Sequence, residues 1–167
     1  MIETRRLAAA DQQPDALASI AGAAERALHE TRRVIEVLSA PTEEPLDDLV
    51  ADEAEAVAAR WGTDVVLAVD PAIRPAPAAE QALLRIVREA VTNAARHGHA
   101  RRVWINLEGG EGINLRIVDD GAGFEPGNGS VPGFGLQSMR ERVEELGGEF
   151  RIESLPTAGT TIEASFP

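Results

Sequence analysis

An α+β fold, with one sheet carrying helices on one face, is what this 167-residue sequence predicts. Three observations carry that prediction. Two pairs of short alternating stretches, 103–107 with 113–118 and Glu149–Ser154 with Thr160–Phe166, read as paired strands. Three stretches with helical spacing, 46–61, 78–97 and 134–146, flank them. No segment repeats itself, so a solenoid or propeller is excluded.

Composition narrows the class. The chain is 44% apolar but only 4% aromatic, so Leu, Val, Ile and Ala must fill its core. A net charge of −12 argues against nucleic-acid binding, which needs clusters of Lys or Arg to displace counterions. There is no cysteine, which excludes disulfides, thiolate metal sites and cysteine nucleophiles. No apolar run reaches the roughly 18 residues of a membrane span, and no signal peptide appears. The chain reads as soluble and cytoplasmic, although a membrane-anchored parent protein is compatible with it.

The elements follow in order. Residues 1–13 are polar and weakly patterned. Over 14–39, Leu17, Ile20, Ala24, Ala27, Leu28, Val34, Ile35 and Leu38 recur at helical spacing. The stripe is narrow, and such a helix buries it against a partner helix. APTEEP, residues 40–45, is a breaker and the expected boundary between a segment 1–41 and a domain 44–167. The helix over 46–61 ends near Trp61 and Gly62. Asp64–Val69 (DVVLAV) reads as a strand, and 71–77 as an extended proline-biased linker. The segment 119–132, rich in Gly, Pro, Asn and Ser, is a long loop. The helix over 134–146 stops at Gly147 and Gly148, a common C-terminal signal.

The helix over 78–97 contains REAVTNAARHG, residues 88–98. At 100° per residue, Leu83, Val87, Ala90, Val91 and Ala94 share one face. Arg85, Arg88, Thr92 and Arg96 share the opposite face. Glu89, Asn93 and His97 form a polar seam between them that drifts toward the apolar side. One reading of the seam is structural, a Glu–Asn pair one turn apart. The other is a ligand wall, in which a carboxylate orients a hydroxyl or water and a carboxamide oxygen takes a hard cation such as Mg²⁺.

The loop after the first strand pair favours the ligand wall. VDDGAGFEPGNGSVPGFGLQSM, residues 118–139, places Gly121 and Gly123 directly after a strand and Gly133 and Gly135 directly before a helix. Glycines at such junctions let backbone N–H groups approach a phosphate, and a helix N-terminus adds a favourable dipole. Neither GxGxxG nor GxxxxGK[ST] is present, so another phosphate-binding design is required.

Four stretches taken together resemble the GHKL ATPases, most closely the ATP-binding region of sensor histidine kinases of the nitrate-sensor class, the partners of NarL-type regulators. REAVTNAARHG resembles the N box, DDGAGF the first glycine box (DxGxG), GFGLQSMRERV the second, and AGTTIEASFP the terminal strand element. The resemblance covers about residues 44–167. It implies a two-layer sandwich, the Bergerat fold, with a mixed, mostly antiparallel sheet and helices on one face. It implies ATP and Mg²⁺ as cofactors. Asn93 would hold Mg²⁺ on the phosphates, and Glu89 would polarise the attacking group. Asp120 would accept a hydrogen bond from the adenine amino group, with Thr160 supporting the adenine edge. Gly121 and Gly123 would seat base and sugar. Gly133 and Gly135 would hinge a lid, with the backbone at Leu136 touching phosphate. His97 is a candidate phosphate neighbour.

The resemblance also implies a histidine acceptor on a two-helix dimerisation hairpin, a homodimer and a response regulator as phosphoryl recipient. His29, in ERALHETRRVIEVL, is poorly placed as that acceptor, since only about ten residues separate it from APTEEP. The stretch looks instead like the second hairpin helix. The expected function is therefore the ATP-binding part of a histidine kinase whose acceptor lies outside this chain. Two alternatives remain open from sequence: a serine kinase or anti-sigma-factor-type regulator with the same nucleotide fold, and a nucleotide-binding module without transfer activity.

Overall fold

The computed structural model describes residues 44–125 and 134–167. The expected helix over 14–39, His29, and Gly133 lie outside the described residues. The chain divides into two compact units, Met1–Pro41 and Thr42–Pro167, and the second carries everything that follows.

Helix α1 (Leu46–Ala58) precedes strand β1 (Asp64–Val69) and helix α2 (Pro77–Thr92). A π-helical turn, Asn93–His97, extends α2. Strands β2 (Arg102–Gly109) and β3 (Ile113–Asp119) follow, then helix α3 (Phe134–Glu145), β4 (Glu149–Ser154) and β5 (Thr160–Phe166). The sheet order is β1-β2-β3-β5-β4. β1 runs parallel to β2, and the other three pairings are antiparallel.

Alternation decides which face of the sheet is covered. Val103, Ile105 and Leu107 of β2, Leu115 and Ile117 of β3, and Ile162, Ala164 and Phe166 of β5 are buried. They meet Leu46, Val50, Ala54 and Ala58 of α1, and Leu83, Ile86, Val87, Ala90 and Val91 of α2. Each fully buried Leu, Ile or Val here contributes about 1.5–3 kcal/mol relative to exposure. The other face is open, with Arg116 and Glu163 paired across β3 and β5 at 3.6 Å.

β2 and β3 run slightly past the expected 103–107 and 113–118, and four further details differ from the sequence expectation. The first helix stops at Ala58 rather than Trp61, because Trp61 and Thr63 both donate back to the Ala58 carbonyl. Pro77 opens α2 rather than closing the linker; its fixed φ and missing N–H suit the first helical position. α3 ends one residue early, with Gly147 at φ +78° and paired bonds from Gly147 and Gly148 back to Glu144 and Val143, a Schellman stop. The end of the 78–97 helix is a π turn, closed by Gly98 N–H donating to Asn93 O at 2.9 Å.

Candidate functional site

The π turn corrects the polar seam. A regular helix would carry His97 toward the apolar side. The wider turn rotates the last residues back, so Ala94 and Ala95 are both buried while Arg96 and His97 face solvent. Single π turns inside helices are rare and concentrate at functional sites. Glu89, on the last α-helical turn, and Asn93, which opens the π turn, are half-buried. The Asn93 side-chain amide nitrogen donates to Glu89 Oε1 at 3.3 Å. With its nitrogen held by the carboxylate, Asn93 presents its carboxamide oxygen as the atom available to a cation.

The start of α3 lies directly on this pair. A Cβ at Gly135 would stand 1.9 Å from Glu89 Oε1, so glycine here leaves the Glu89 carboxylate in place against the start of the helix. Leu136 beside it packs against the core.

The second part of the site is built by strands. Asp119 ends β3, two residues beyond the buried Ile117, so alternation sends its side chain to the helix-covered side. Its Oδ1 accepts the Gly121 N–H at 2.8 Å. Thr160, at the start of β5, turns its backbone N–H and its hydroxyl toward the same carboxylate. Burial pushes the Asp119 carboxyl above its ordinary value, the hydrogen bonds from Gly121 and Thr160 oppose that, and the neighbouring Asp120 charge adds to the rise.

Asp120 does not occupy the position expected of it. It is exposed, and its Oδ1 accepts the backbone N–H groups of Arg101 and Arg102 at 2.8 and 2.9 Å. It caps the entry to β2 and turns away from the site. Asp119 is the carboxylate that faces inward, and two signals in the sequence point to it. In DDGAGF the DxGxG spacing runs Asp119-x-Gly121-x-Gly123, and alternation along β3 groups residue 119 with 115 and 117.

The intervening loop joins the two parts. Ala122 N–H donates to the Gly98 carbonyl at 2.7 Å, tying the loop to the end of the π turn. Gly123 has φ +60°, and a Cβ there would stand 2.0 Å from the Leu155 carbonyl oxygen. Its smallness thus serves backbone packing against the β4–β5 connection. Ser154, also missed in the sequence, lies under this loop and contacts Phe124, Gly159 and Thr160.

The structure thus gathers Glu89, Asn93 and Gly135 at one side and Asp119, Gly121, Gly123 and Thr160 at the other, with His97 exposed at the helix end. A depression of about 440 Å³ lined by Asn106, Arg116, Arg151 and Glu163 belongs to the open face of the sheet instead. Among the described residues no group of His, Cys, Asp or Glu forms a protein-only metal cluster, and no helix is long and apolar enough to cross a membrane.

The family described as histidine kinase-, DNA gyrase B-, and HSP90-like ATPase matches residues 78–167. The sensor protein VraS of Staphylococcus saprophyticus is 44% identical over 89 residues, 53% of this chain and 26% of that one. VraS of Staphylococcus aureus is 40% identical over the same length. The matched region thus spans about a quarter of these relatives. Among solved structures, the histidine kinase domain of a blue-light activated kinase from Erythrobacter litoralis superposes with a TM-score of 0.62 at 21% identity, covering 80% of this chain and 67% of that one. The ATP binding domain of PrrB from Mycobacterium tuberculosis gives 0.60 at 25% identity, covering 74% and 94%. The mixed five-stranded sheet with helices is the fold of these kinase domains.

Proposed function

This chain belongs to the histidine kinase-, DNA gyrase B-, and HSP90-like ATPase family, and from that premise we propose that it binds ATP between the Asp119–Thr160 strands and the Glu89–Asn93 helix. The observation that carries the reading is the half-buried Asp119 carboxylate held by Gly121 and Thr160. An ionised carboxylate there accepts the adenine amino group, and Thr160 supports the same edge. Gly121 and Gly123 keep the loop flat enough for base and sugar.

Asn93 and Glu89 supply oxygen donors on one helix face, a set that suits a hard cation. Asn93 would hold Mg²⁺, which supplies charge neutralisation to the phosphates when bound. Glu89 orients the nucleophile and accepts its proton. The N-terminus of α3 at Gly135 and Leu136, with Gly133 before it, closes on the phosphates and excludes water. His97 stands at the phosphate end of the helix.

The reaction we propose is transfer of the ATP γ-phosphoryl group to a histidine outside this chain, for relay to a response regulator. The parent would be a sensor kinase of the nitrate-sensor class, dimeric through a hairpin to which residues 1–41 contribute one helix. The relatives named above, sensor proteins and a histidine kinase domain, support this reading.

Calorimetric titration with ATP tests the site. Asp119→Asn is expected to weaken binding roughly 10- to 100-fold, the weight of a hydrogen bond to a charged group. Asp120→Ala is expected to leave affinity unchanged. The reverse order would return the adenine contact to Asp120 and remove the central observation.

A further inference from the structure

We infer that the free edge of β1 is a docking site for an extended segment of a partner protein, apolar at alternate positions and basic at both ends. The inference stands apart from the nucleotide reading.

β1 is the outermost strand of the sheet, and its one neighbour there is β2. Asp64 N–H donates to Arg101 O at 2.8 Å and Asp70 N–H to Leu107 O at 2.9 Å, so the even-numbered residues commit their backbone groups to β2. Val65, Leu67 and Val69 therefore turn theirs outward. Among the described residues no backbone group meets them. The side chains of these three residues pack on the core from the helix side but are only half-buried. Their register partners Val103, Ile105 and Leu107 are no more than 1% exposed. The core is thus complete on the β2 side of β1 and incomplete on the other. On the open face, Val66 is 44% exposed beside its register partner Trp104 at 37%.

The opposite edge is built differently. β4 exposes Glu149, Arg151 and Glu153, charges of the kind that discourage strand addition. β1 (DVVLAV) has no Lys, no Pro and no bulge, and its one charge, Asp64, stands at its first residue.

This edge specifies its occupant. Outward N–H and C=O groups at every second residue call for another strand. Antiparallel pairing, the stronger per residue, sets one residue opposite each of Val65, Leu67 and Val69 with its side chain toward the helices. Apolar residues there complete the core. The residues between them stand on the solvent face and are free to be polar. Asp64 and Asp70, both exposed, bracket the site and favour Lys or Arg opposite them. A second copy of the chain fits poorly. Pairing all three outward residues of each copy sets Asp64 against Asp70 twice, in a chain of net charge −12.

The test adds an end-blocked Lys-Val-Thr-Val-Thr-Val-Lys peptide to the full chain and follows backbone amides by NMR. Saturation is expected to slow exchange of the Val65, Leu67 and Val69 amides about tenfold, the weight of one hydrogen bond each. Val66 and Ala68, already bonded to β2, are expected to stay unchanged. N-methylation of the three peptide valines removes the donors that face β1 and is expected to abolish the effect. Glutamate in place of both lysines is expected to weaken binding about fivefold. Outward amides that are already protected in the free chain, or that the peptide leaves unprotected, overturn the inference. Equal protection by the N-methylated or the glutamate peptide overturns it too. Protection that grows with protein concentration alone assigns the edge to a second copy and overturns the choice of partner.

Discussion

The strand side and the helix side of the site are held in different ways. Asp119, Ser154 and Thr160 stand on three adjacent strands, and their contacts are set by ladder register and by backbone groups. Glu89 and Asn93 stand one helical turn apart and meet through a single side-chain bond at 3.3 Å. Their other neighbour is the first turn of α3. A sheet thus presents a fixed template to a rigid aromatic base. A helix end with one long side-chain contact leaves its carboxylate and carboxamide able to adjust to phosphates and a cation.

Two glycines offer the sharpest way to break that contrast, because an added methyl would collide at almost the same distance in each. Gly123→Ala puts Cβ 2.0 Å from a backbone oxygen at φ +60°. Neither partner can yield, so a stability loss above about 2 kcal/mol is expected in chemical denaturation, combining left-handed strain with a clash. If Gly123→Ala melts like wild type, the strand side is not rigid.

The pH dependence of ATP affinity sharpens the same side. Burial raises the Asp119 carboxyl pKa, so the folded protein holds that proton more tightly than the unfolded chain. The group's contribution to stability is fully present below the unfolded value and is lost as pH rises through the raised folded value. Adenine binding needs the ionised form, so ATP affinity is expected to climb across the same window. Asp119→Asn removes both trends. An ATP affinity flat from pH 4 to 7 would show that Asp119 does not titrate into the binding-competent form.

The smallest effect on stability belongs to Gly135→Ala. Its Cβ would meet the far end of the Glu89 side chain, which can rotate away. The substitution also raises helix propensity by about 0.5–1 kcal/mol, so the expected net change in denaturation midpoint is near zero or slightly positive. Phosphoryl transfer, measured with an added acceptor hairpin, is expected to fall because Glu89 is displaced. A large loss of stability would mean that the helix side is as rigid as the strand side.

Much of the fold was legible because its signals are local. β1, β4 and β5 have the ends that alternation indicates, since period-two patterning and flanking Gly or Pro act within a few residues. The apolar face of α2 was readable for the same reason: Leu83, Val87, Ala90, Val91 and Ala94 are all buried. The site was partly legible. Motif spacing singled out the glycines and the Glu89–Asn93 pair, but the choice between two consecutive aspartates turned on which face of β3 each side chain takes.

Residue order alone determined where helices and strands form, and it confined candidate chemistry to the Glu89 helix and the Asp119 loop. Tertiary structure decided what depends on distant partners. It set the parallel pairing of β1 with β2, the β3–β5 contact that joins the two strand pairs, and the π turn that exposes His97. It also aimed Asp120 at the amides of Arg101 and Arg102 and left Asp119 to Thr160. The physical reason is range. Periodicity and turn chemistry are written in neighbours. Hydrogen-bond partners 18 to 41 residues away become neighbours only when the sheet closes.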